Sequence, residues 1–174
     1  EGLTGTDKQF DDKLTSGLAW DLAFHHYIKN FGWGIFYSGY SSDSYYEKTN
    51  MDHNVLLSYI APLFCTKYSF NKKWMINGEV GVGYLKFSDK ISSGIEKGKT
   101  YVSTVGFNYG IGIEYKLNKH MGIGISFNEI VGSAFLKNIK MENVHSIIAY
   151  NDYDRINLNR LNLLGGIRFY FGDR

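Results

Sequence analysis

Six charged residues stand inside otherwise apolar segments, where they could pair with one another or carry a proton or an ion. They are Asp21, Lys67, Glu79, Glu114, Arg160 and Arg168. Each lies at one of the small or polar positions that alternate with apolar residues in its segment. A charge that cannot reach bulk water is stable only when it is paired and hydrogen-bonded. We therefore predict an ion-pair network that plugs an enclosed interior, with Asn108 and Asn128 on the same face, in preference to a conducting path.

Two adjacent histidines, His25 and His26, raise a second chemical hypothesis, which is ester hydrolysis. A histidine beside a serine and an acid can activate a nucleophile. In a strand, alternation would turn His25 inward and His26 outward beside a short turn, where an amphipathic imidazole suits an interface. An enzyme acting on lipopolysaccharide would carry its site at the opposite, long-loop end. We predict no catalytic residue and keep a lipid-modifying enzyme as the alternative.

The sequence gives little reason to expect a metal or cofactor site. His53 and His145 are too isolated for a metal site, which normally needs three or four converging ligands. The single Cys65 allows neither an internal disulfide nor a thiolate cluster. Glycine-rich pieces at 78–83 and 110–112 lie inside predicted strands and open no helix, unlike a phosphate-binding loop. We predict no cofactor and no metal.

The segments that position these residues alternate between apolar and small or polar residues, most clearly over 74–127. Tyr109, Ile111 and Ile113, for example, are separated by glycines. A period of two is the period of a β-strand. Similar alternation marks strands within 14–28, 33–38, 55–70 and 160–171. Because the apolar phase of 55–70 changes around the only proline, we predict a bulge near Ala61 and Pro62.

The face opposite the apolar one indicates the environment of the sheet. In a soluble sandwich that face would be rich in Lys, Glu and Thr. Here it is mostly Gly, Asn and Ser, which suits the crowded interior of a narrow barrel, while a continuous apolar face suits lipid. We predict an all-β fold, an antiparallel up-and-down transmembrane β-barrel. A soluble lipocalin-like ligand-binding barrel is a further alternative, but its exterior should carry many charges.

The connections between strands alternate in length. Short turns are predicted at 29–32, 71–73 and 118–120, and long loops at 1–13, 41–54, 88–100 and 132–156, all within one domain spanning 1–174. Bacterial outer-membrane barrels have short periplasmic turns, longer extracellular loops and an even number of strands. About seven strands are readable, so we predict an eight-stranded parent whose first strand lies upstream of Glu1. The C-terminus would then be periplasmic.

Aromatic residues make up 17% of the chain, with 14 Tyr and 12 Phe. Such an excess is typical of the interfacial girdles of a membrane barrel. The residues predicted for these girdles are Trp20, Trp33, Trp74, Tyr84, Tyr101, Tyr115, Phe169 and Phe171. The formal net charge of +2 provides no basic face for nucleic acid, so that partner is not expected.

Several short motifs occur in order along almost the whole chain: GLTG at 2–5, KLTSG at 13–17, WGI at 33–35, YIAPLF at 59–64, RINL at 155–158 and GIRF at 166–169. In this order the sequence resembles the small outer-membrane β-barrel domain proteins of Bacteroidota, which are similar in architecture to the eight-stranded OmpX and OmpA barrels. Those proteins have a glycine-rich strand before GLTG, which this sequence lacks. The end of the chain, 163–171, also looks like a signal for the barrel-assembly machinery. The resemblance implies an outer-membrane location and brings no catalytic residues.

The expected function is therefore a structural or protein-interaction role in the outer membrane, without catalysis. The expected partners are outer-membrane lipid and lipopolysaccharide, and the barrel-assembly machinery during biogenesis. A protein partner could bind the long extracellular loops, because Ile147, Ile148 and Tyr150 in 132–154 are too apolar to stay bare in water.

Overall fold

The computed structural model describes residues 17–46, 51–93, 96–135, 140–142 and 155–171, which form one antiparallel sheet. Its strands are β1 (Leu18–Ile28), β2 (Phe31–Tyr46), β3 (Met51–Ser69), β4 (Trp74–Ser93), β5 (Glu96–Lys116), β6 (Met121–Phe135), β7 (Lys140–Glu142), β8 (Arg155–Asn157) and β9 (Arg160–Phe169). Each strand from β1 to β5 pairs with the next, β6 also pairs with β8 and β9, and β7 pairs with β5. The predicted all-β, antiparallel, up-and-down fold is confirmed. Across the described ranges, no helix is long and apolar enough to cross a membrane.

The sheet curves into a barrel-like shape that brings β1 round towards strands on its far side. Asp21 on β1 accepts a hydrogen bond of 2.5 Å from the Asn128 amide on β6. His25 on β1 lies 3.0 Å from Glu79 on β4. A flat sheet would hold these strands far apart, since neighbouring strands are spaced by about 4.8 Å. Polar side chains of β1, β4, β6 and β9 thus meet in one interior.

Strand β3 corrects the prediction of a bulge. Its register is the same on both sides of Pro62, since Tyr59 pairs with Leu85 and Leu63 pairs with Gly81. Odd-numbered residues from 55 to 65 are buried without a change of phase, and Pro62 faces outward. The phase change in the sequence arises because both faces of this strand are apolar: one faces the barrel interior and the other the outer wall.

Two predicted long loops are largely strand in the described residues. In place of the loop 41–54, β2 and β3 remain paired from Ser41 opposite Leu56 to Tyr46 opposite Met51. In place of the loop 88–100, β4 and β5 remain paired to Ser93 opposite Glu96. Part of 132–156 is also paired, in the last residues of β6 and in β7 and β8. The predicted loop 1–13 lies outside the described residues. Where both faces of a strand carry mostly polar residues, apolar alternation disappears although the backbone ladder continues.

The short turns lie close to their predicted positions and use side chains that suit tight turns. Between β1 and β2 only two residues remain, and Lys29 has a positive φ of 60°, as a two-residue hairpin turn requires. Residues 31 and 32, predicted as turn, belong to β2. Between β3 and β4, the Asn71 side-chain oxygen accepts the N–H groups of Lys73 and Trp74 at 2.8 and 2.6 Å. This local bond replaces the ladder bonds that the turn interrupts.

Candidate functional site

The most connected polar group in the interior is the carboxylate of Asp21 on β1. It accepts hydrogen bonds of 2.5 Å from the hydroxyl of Ser38 and 2.5 Å from the amide of Asn128. The guanidinium of Arg160 lies 3.8 Å from it and also donates to Ser38. Asp21 and Arg160 are only 13% and 9% exposed, so each depends on the other for charge compensation. Asn162 extends the cluster with a 2.8 Å bond to Asn128.

Nearer the short turns, the interior holds two further contacts to a carboxylate. His25 lies 3.0 Å from Glu79, and Arg168 lies 3.1 Å from Glu114. Lys67 lies over the ring of Tyr27, with its ammonium 4.4 Å from the ring centroid. The six charged residues predicted for the interior thus all lie there. Four of them form ion pairs, Glu79 is hydrogen-bonded to His25, and Lys67 contacts an aromatic ring.

Glycines on the inner face of β4, β5 and β6 provide the space for these polar groups. A Cβ on Gly110 would lie 3.1 Å from Glu79 and 3.2 Å from Asn128. A Cβ on Gly122 would lie 2.8 Å from the Glu114 carboxylate. The alternating glycines that marked the strands therefore have a steric role: larger residues would displace the charges from the interior.

Apolar side chains share the interior with these charged and amide groups. The sequence predicted a lumen plugged by polar and charged side chains, but the structure adds a hydrophobic core in the same space. Its members are Phe36, Leu57, Tyr59, Ala61, Leu63, Leu85, Val102, Ile130, Ala134 and Leu158. The fully buried Tyr59 links the two parts, since its hydroxyl donates a 3.0 Å hydrogen bond to Asn108. Sequence reasoning missed this core because each of its strands also has an apolar outer face.

The outer face of the long strands carries large apolar side chains that remain exposed among the described residues. More than half of the surface of Phe24, Trp33, Phe64, Phe107 and Ile125 is exposed. Around Gly78 this wall has an apolar hollow of about 440 Å³, bordered by Phe64, Val80, Ile111 and Phe127. An apolar surface of this extent on the outside of a sheet is unusual for a protein that is alone in water.

The predicted girdle residues lie on this outer face, and all but Tyr101 fall at two levels along the strands. The residues beside the short turns are Trp33, Trp74, Tyr115, Phe169 and Phe171, and Trp20 and Tyr84 lie further from these turns. Tyr101 lies beyond the second level, because it pairs with Ser88 and not with Tyr84. Tyr101 and Tyr115 are half-buried, while the others are exposed. Trp74 packs edge-on against Tyr115 with ring centroids 5.0 Å apart. Two aromatic levels with an apolar band between them are thus present on one wall.

The described histidines contact aromatic rings and carboxylates. His26 packs on the ring of Trp33, with centroids 5.4 Å apart, near the first short turn. His53 lies 3.0 Å from Asp89 in the extended strands at the other end. Among the described ranges no group of three or more His, Cys, Asp and Glu side chains could hold a metal ion.

No protein-family model, curated protein or solved structure matches this chain. Its function must therefore be inferred from the geometry of the interior and the outer wall.

Proposed function

We propose that the chain is an integral outer-membrane β-barrel protein with a structural or protein-interaction role and no catalytic activity. The observation that carries the proposal is the apolar outer face of the sheet. Ion pairs and amides lie inside, while large apolar side chains on the outer face of the long strands are exposed among the described residues. Burial in lipid stabilises such an outer face at roughly 25 cal/mol for each Å² of apolar surface removed from water.

The height of the apolar band supports a bilayer as the environment. Trp74 and Tyr84 face outward on β4, ten residues apart. At about 3.3 Å per residue and a strand tilt of about 40°, this spacing spans roughly 25 Å along the membrane normal. Outer-membrane barrels have an apolar band of about 25 Å between their aromatic girdles. In this orientation the short turns and the C-terminal end of β9 face the periplasm. The extended ends of β2 to β5 lie on the extracellular side.

The interior supports a closed lumen. The Asp21–Arg160 and Glu114–Arg168 ion pairs and the hydrogen-bonded His25 and Glu79 share the interior with a hydrophobic core that includes Phe36, Leu57, Leu85 and Ile130. A hydrated ion would have to displace these polar and apolar side chains. The resemblance to the small barrels of Bacteroidota, and contact with lipopolysaccharide and the barrel-assembly machinery, belong to this same proposal.

Tryptophan quenching by brominated lipids tests the membrane assignment. Three variants would each retain one of Trp20, Trp33 and Trp74, with the other two changed to Phe. A fourth would carry Val80→Trp as its only tryptophan, because Val80 is exposed on the outer face between the two aromatic levels. After refolding into vesicles, we expect the native tryptophans to be quenched best by bromines near the headgroups. The tryptophan at position 80 should be quenched best by bromines near the bilayer centre.

Two results would contradict the proposal. One is equal quenching of all four variants by aqueous iodide with no effect of the brominated lipids. The other is a monodisperse, folded protein in buffer without detergent, because the exposed outer wall should then cause aggregation.

A further inference from the structure

One acidic side chain lies on the apolar outer wall. Glu129 on β6 shares the outward phase of its strand with Phe127, and it pairs across the ladder with the outward Tyr109 on β5. Among the described residues that face outward between the levels of Trp74 and Tyr84, it is the one carboxylate. An ionisable side chain that faces hydrocarbon is costly and rare, so its position calls for a functional explanation.

The Glu129 carboxylate can accept more hydrogen bonds than the chain supplies. The hydroxyl of Tyr109 donates to its Oε2. A carboxylate has sites for about four hydrogen bonds, and in the described part of the chain the bond from Tyr109 is the only one to this group. Tyr109 is exposed and Glu129 is half-buried, so a donor that is not part of the chain can reach Glu129 from the outside.

The apolar hollow around Gly78 adjoins this carboxylate. Tyr109 connects the two features, because its ring borders the hollow and its hydroxyl bonds Glu129. The hollow forms where Gly78 interrupts the large outward side chains of β4, between Ile76 and Val80. Its volume is about 440 Å³, whereas an apolar cavity of roughly 150 Å³ already holds a benzene molecule. An apolar hollow with one polar group at its border has the composition of a site for an apolar ligand.

The depths of Glu129 and of the hollow indicate what kind of ligand fits. Counted from the short turns, Glu129 is eight residues into β6, and Tyr84 is ten residues into β4. At about 3.3 Å per residue and a tilt of about 40°, Glu129 lies roughly 5 Å below the level of Tyr84. Gly78 is six residues before Tyr84 and lies roughly 15 Å below it on the same scale.

A lipid chain from the outer leaflet has the right geometry for both features. Headgroups lie at the level of the aromatic girdle, so a hydrogen-bond donor at the depth of Glu129 must belong to the acyl chain itself. A chain that descends from the headgroup passes Glu129 first and then enters the hollow. A second copy of the protein fits less well, because a two-fold contact at this place would bring two Glu129 carboxylates together.

We propose that Glu129 and the hollow form a binding site for a lipid acyl chain that bears a hydroxyl group near its headgroup end. The hydroxyl donates to the Glu129 carboxylate beside the bond from Tyr109. The rest of the chain packs in the hollow against Phe64, Ile111 and Phe127. The inference rests on the proposed function, because a lipid covers this wall only in a membrane, and it adds a site with a defined chemical preference.

Native mass spectrometry of the folded chain tests the site. The chain is refolded into phosphatidylcholine vesicles that contain equal small amounts of two further phosphatidylcholines, one with a β-hydroxymyristoyl chain and one with a myristoyl chain. The protein is then extracted in detergent, and the lipids that remain bound are identified by mass. We expect one β-hydroxymyristoyl lipid per chain and roughly tenfold less of the myristoyl lipid, as for a hydrogen bond to a charged group.

Three variants separate the contributions of the carboxylate and the hollow. Glu129→Leu removes the acceptor and should reduce the preference for the hydroxyl to roughly twofold or less. Gly78→Leu fills the hollow and should abolish the retention of both lipids. Gly165→Leu is the matched control, because it adds the same side chain to the outer face of β9, where a Cβ meets no atom within 4 Å among the described residues. The control should retain the hydroxylated lipid as the parent does.

Several results would overturn the site. Equal retention of the two lipids by the parent would show that Glu129 does not select a hydroxyl group. An unchanged preference in Glu129→Leu, or unchanged retention in Gly78→Leu, would place the lipid elsewhere on the wall. A lipid-free dimer that Gly78→Leu dissociates would make a second copy the occupant.

Tryptophan quenching by brominated lipids in the same vesicles shows separately whether the chain is inserted. A chain that does not insert refutes the proposed function and the site with it. An inserted chain that retains the two lipids equally refutes the site alone, so the two failures are distinguishable.

Discussion

Changing Asp21 to Asn should be among the most damaging isosteric substitutions in this chain. The substitution keeps the shape of the side chain and removes its charge, so Arg160 stays buried beside a neutral group. Arg160 is 9% exposed and has two nitrogens without partners in the described residues, so water cannot readily replace the lost carboxylate. Removing one member of a buried ion pair commonly costs about 3–5 kcal/mol.

For this pair we expect a smaller loss, about 2–3 kcal/mol, because the distance of 3.8 Å is longer than a hydrogen bond and Arg160 keeps its contact with Ser38. Such a loss is roughly a 30- to 150-fold change in the unfolding equilibrium constant. The measurement is reversible urea unfolding in lipid vesicles, followed by tryptophan fluorescence and by the mobility shift of the folded barrel on gels. Asp43→Asn is the matched control, because Asp43 is exposed, and it should change the free energy of unfolding by about 0.5 kcal/mol or less.

A double-mutant cycle with Arg160→Gln isolates the charge interaction. The double variant should be no less stable than Asp21→Asn alone, giving a coupling energy of about 1.5–3 kcal/mol. If Asp21→Asn behaves like the Asp43→Asn control, or if the coupling energy is close to zero, the interior pair does not compensate charge as described.

Two further substitutions test the packing of the interior by the same urea measurement. Gly81→Ala would place a Cβ 2.7 Å from the Pro62 carbonyl oxygen and should destabilise the barrel by about 1–3 kcal/mol, whereas Gly166→Ala meets no atom within 4 Å and should be within about 0.5 kcal/mol of the parent. Equal stabilities of these two variants would refute the steric role of the inner glycines. Tyr59→Phe removes the buried hydroxyl that donates to Asn108 at 3.0 Å and should cost about 1–2 kcal/mol. Tyr37→Phe, on the outer face, is its control, and a similar loss in both variants would show that the hydrogen bond has no special contribution.

The strands and turns could be predicted from the sequence because they depend on interactions between residues that are close in the chain. Apolar residues recur at every second position from Tyr109 to Ile113. Only in a β-strand does this period of two place the apolar and the small residues on opposite faces. Asn71 and Asn118 mark tight turns because their short side chains bond the backbone two residues later, as both do in the structure. The small residues of the counter-face indicated a crowded interior before any contact was known.

The ends of the strands could not be predicted for a physical reason. Beyond the apolar band, at the ends away from the short turns, both faces of β2, β3, β4 and β5 are mostly polar. Side-chain alternation therefore no longer indicates a strand there. The backbone ladder continues because hydrogen bonding between strands does not require apolar side chains. A lack of contrast between the two faces also explains the wrong prediction at Pro62. Both faces of β3 are apolar there, and this resembles a change of phase in the sequence.

The sequence by itself determined the type of fold, the short turns and the inner position of the six charged residues. Only the tertiary structure decided which of these charges meet, because the partners are far apart in sequence: Asp21 with Arg160, His25 with Glu79, and Glu114 with Arg168. It also decided that a hydrophobic core shares the interior and that, among the described strands, β1 and β9 run in the same direction. Alternation assigns a residue to a face, but the curvature of the whole sheet determines what lies across from it.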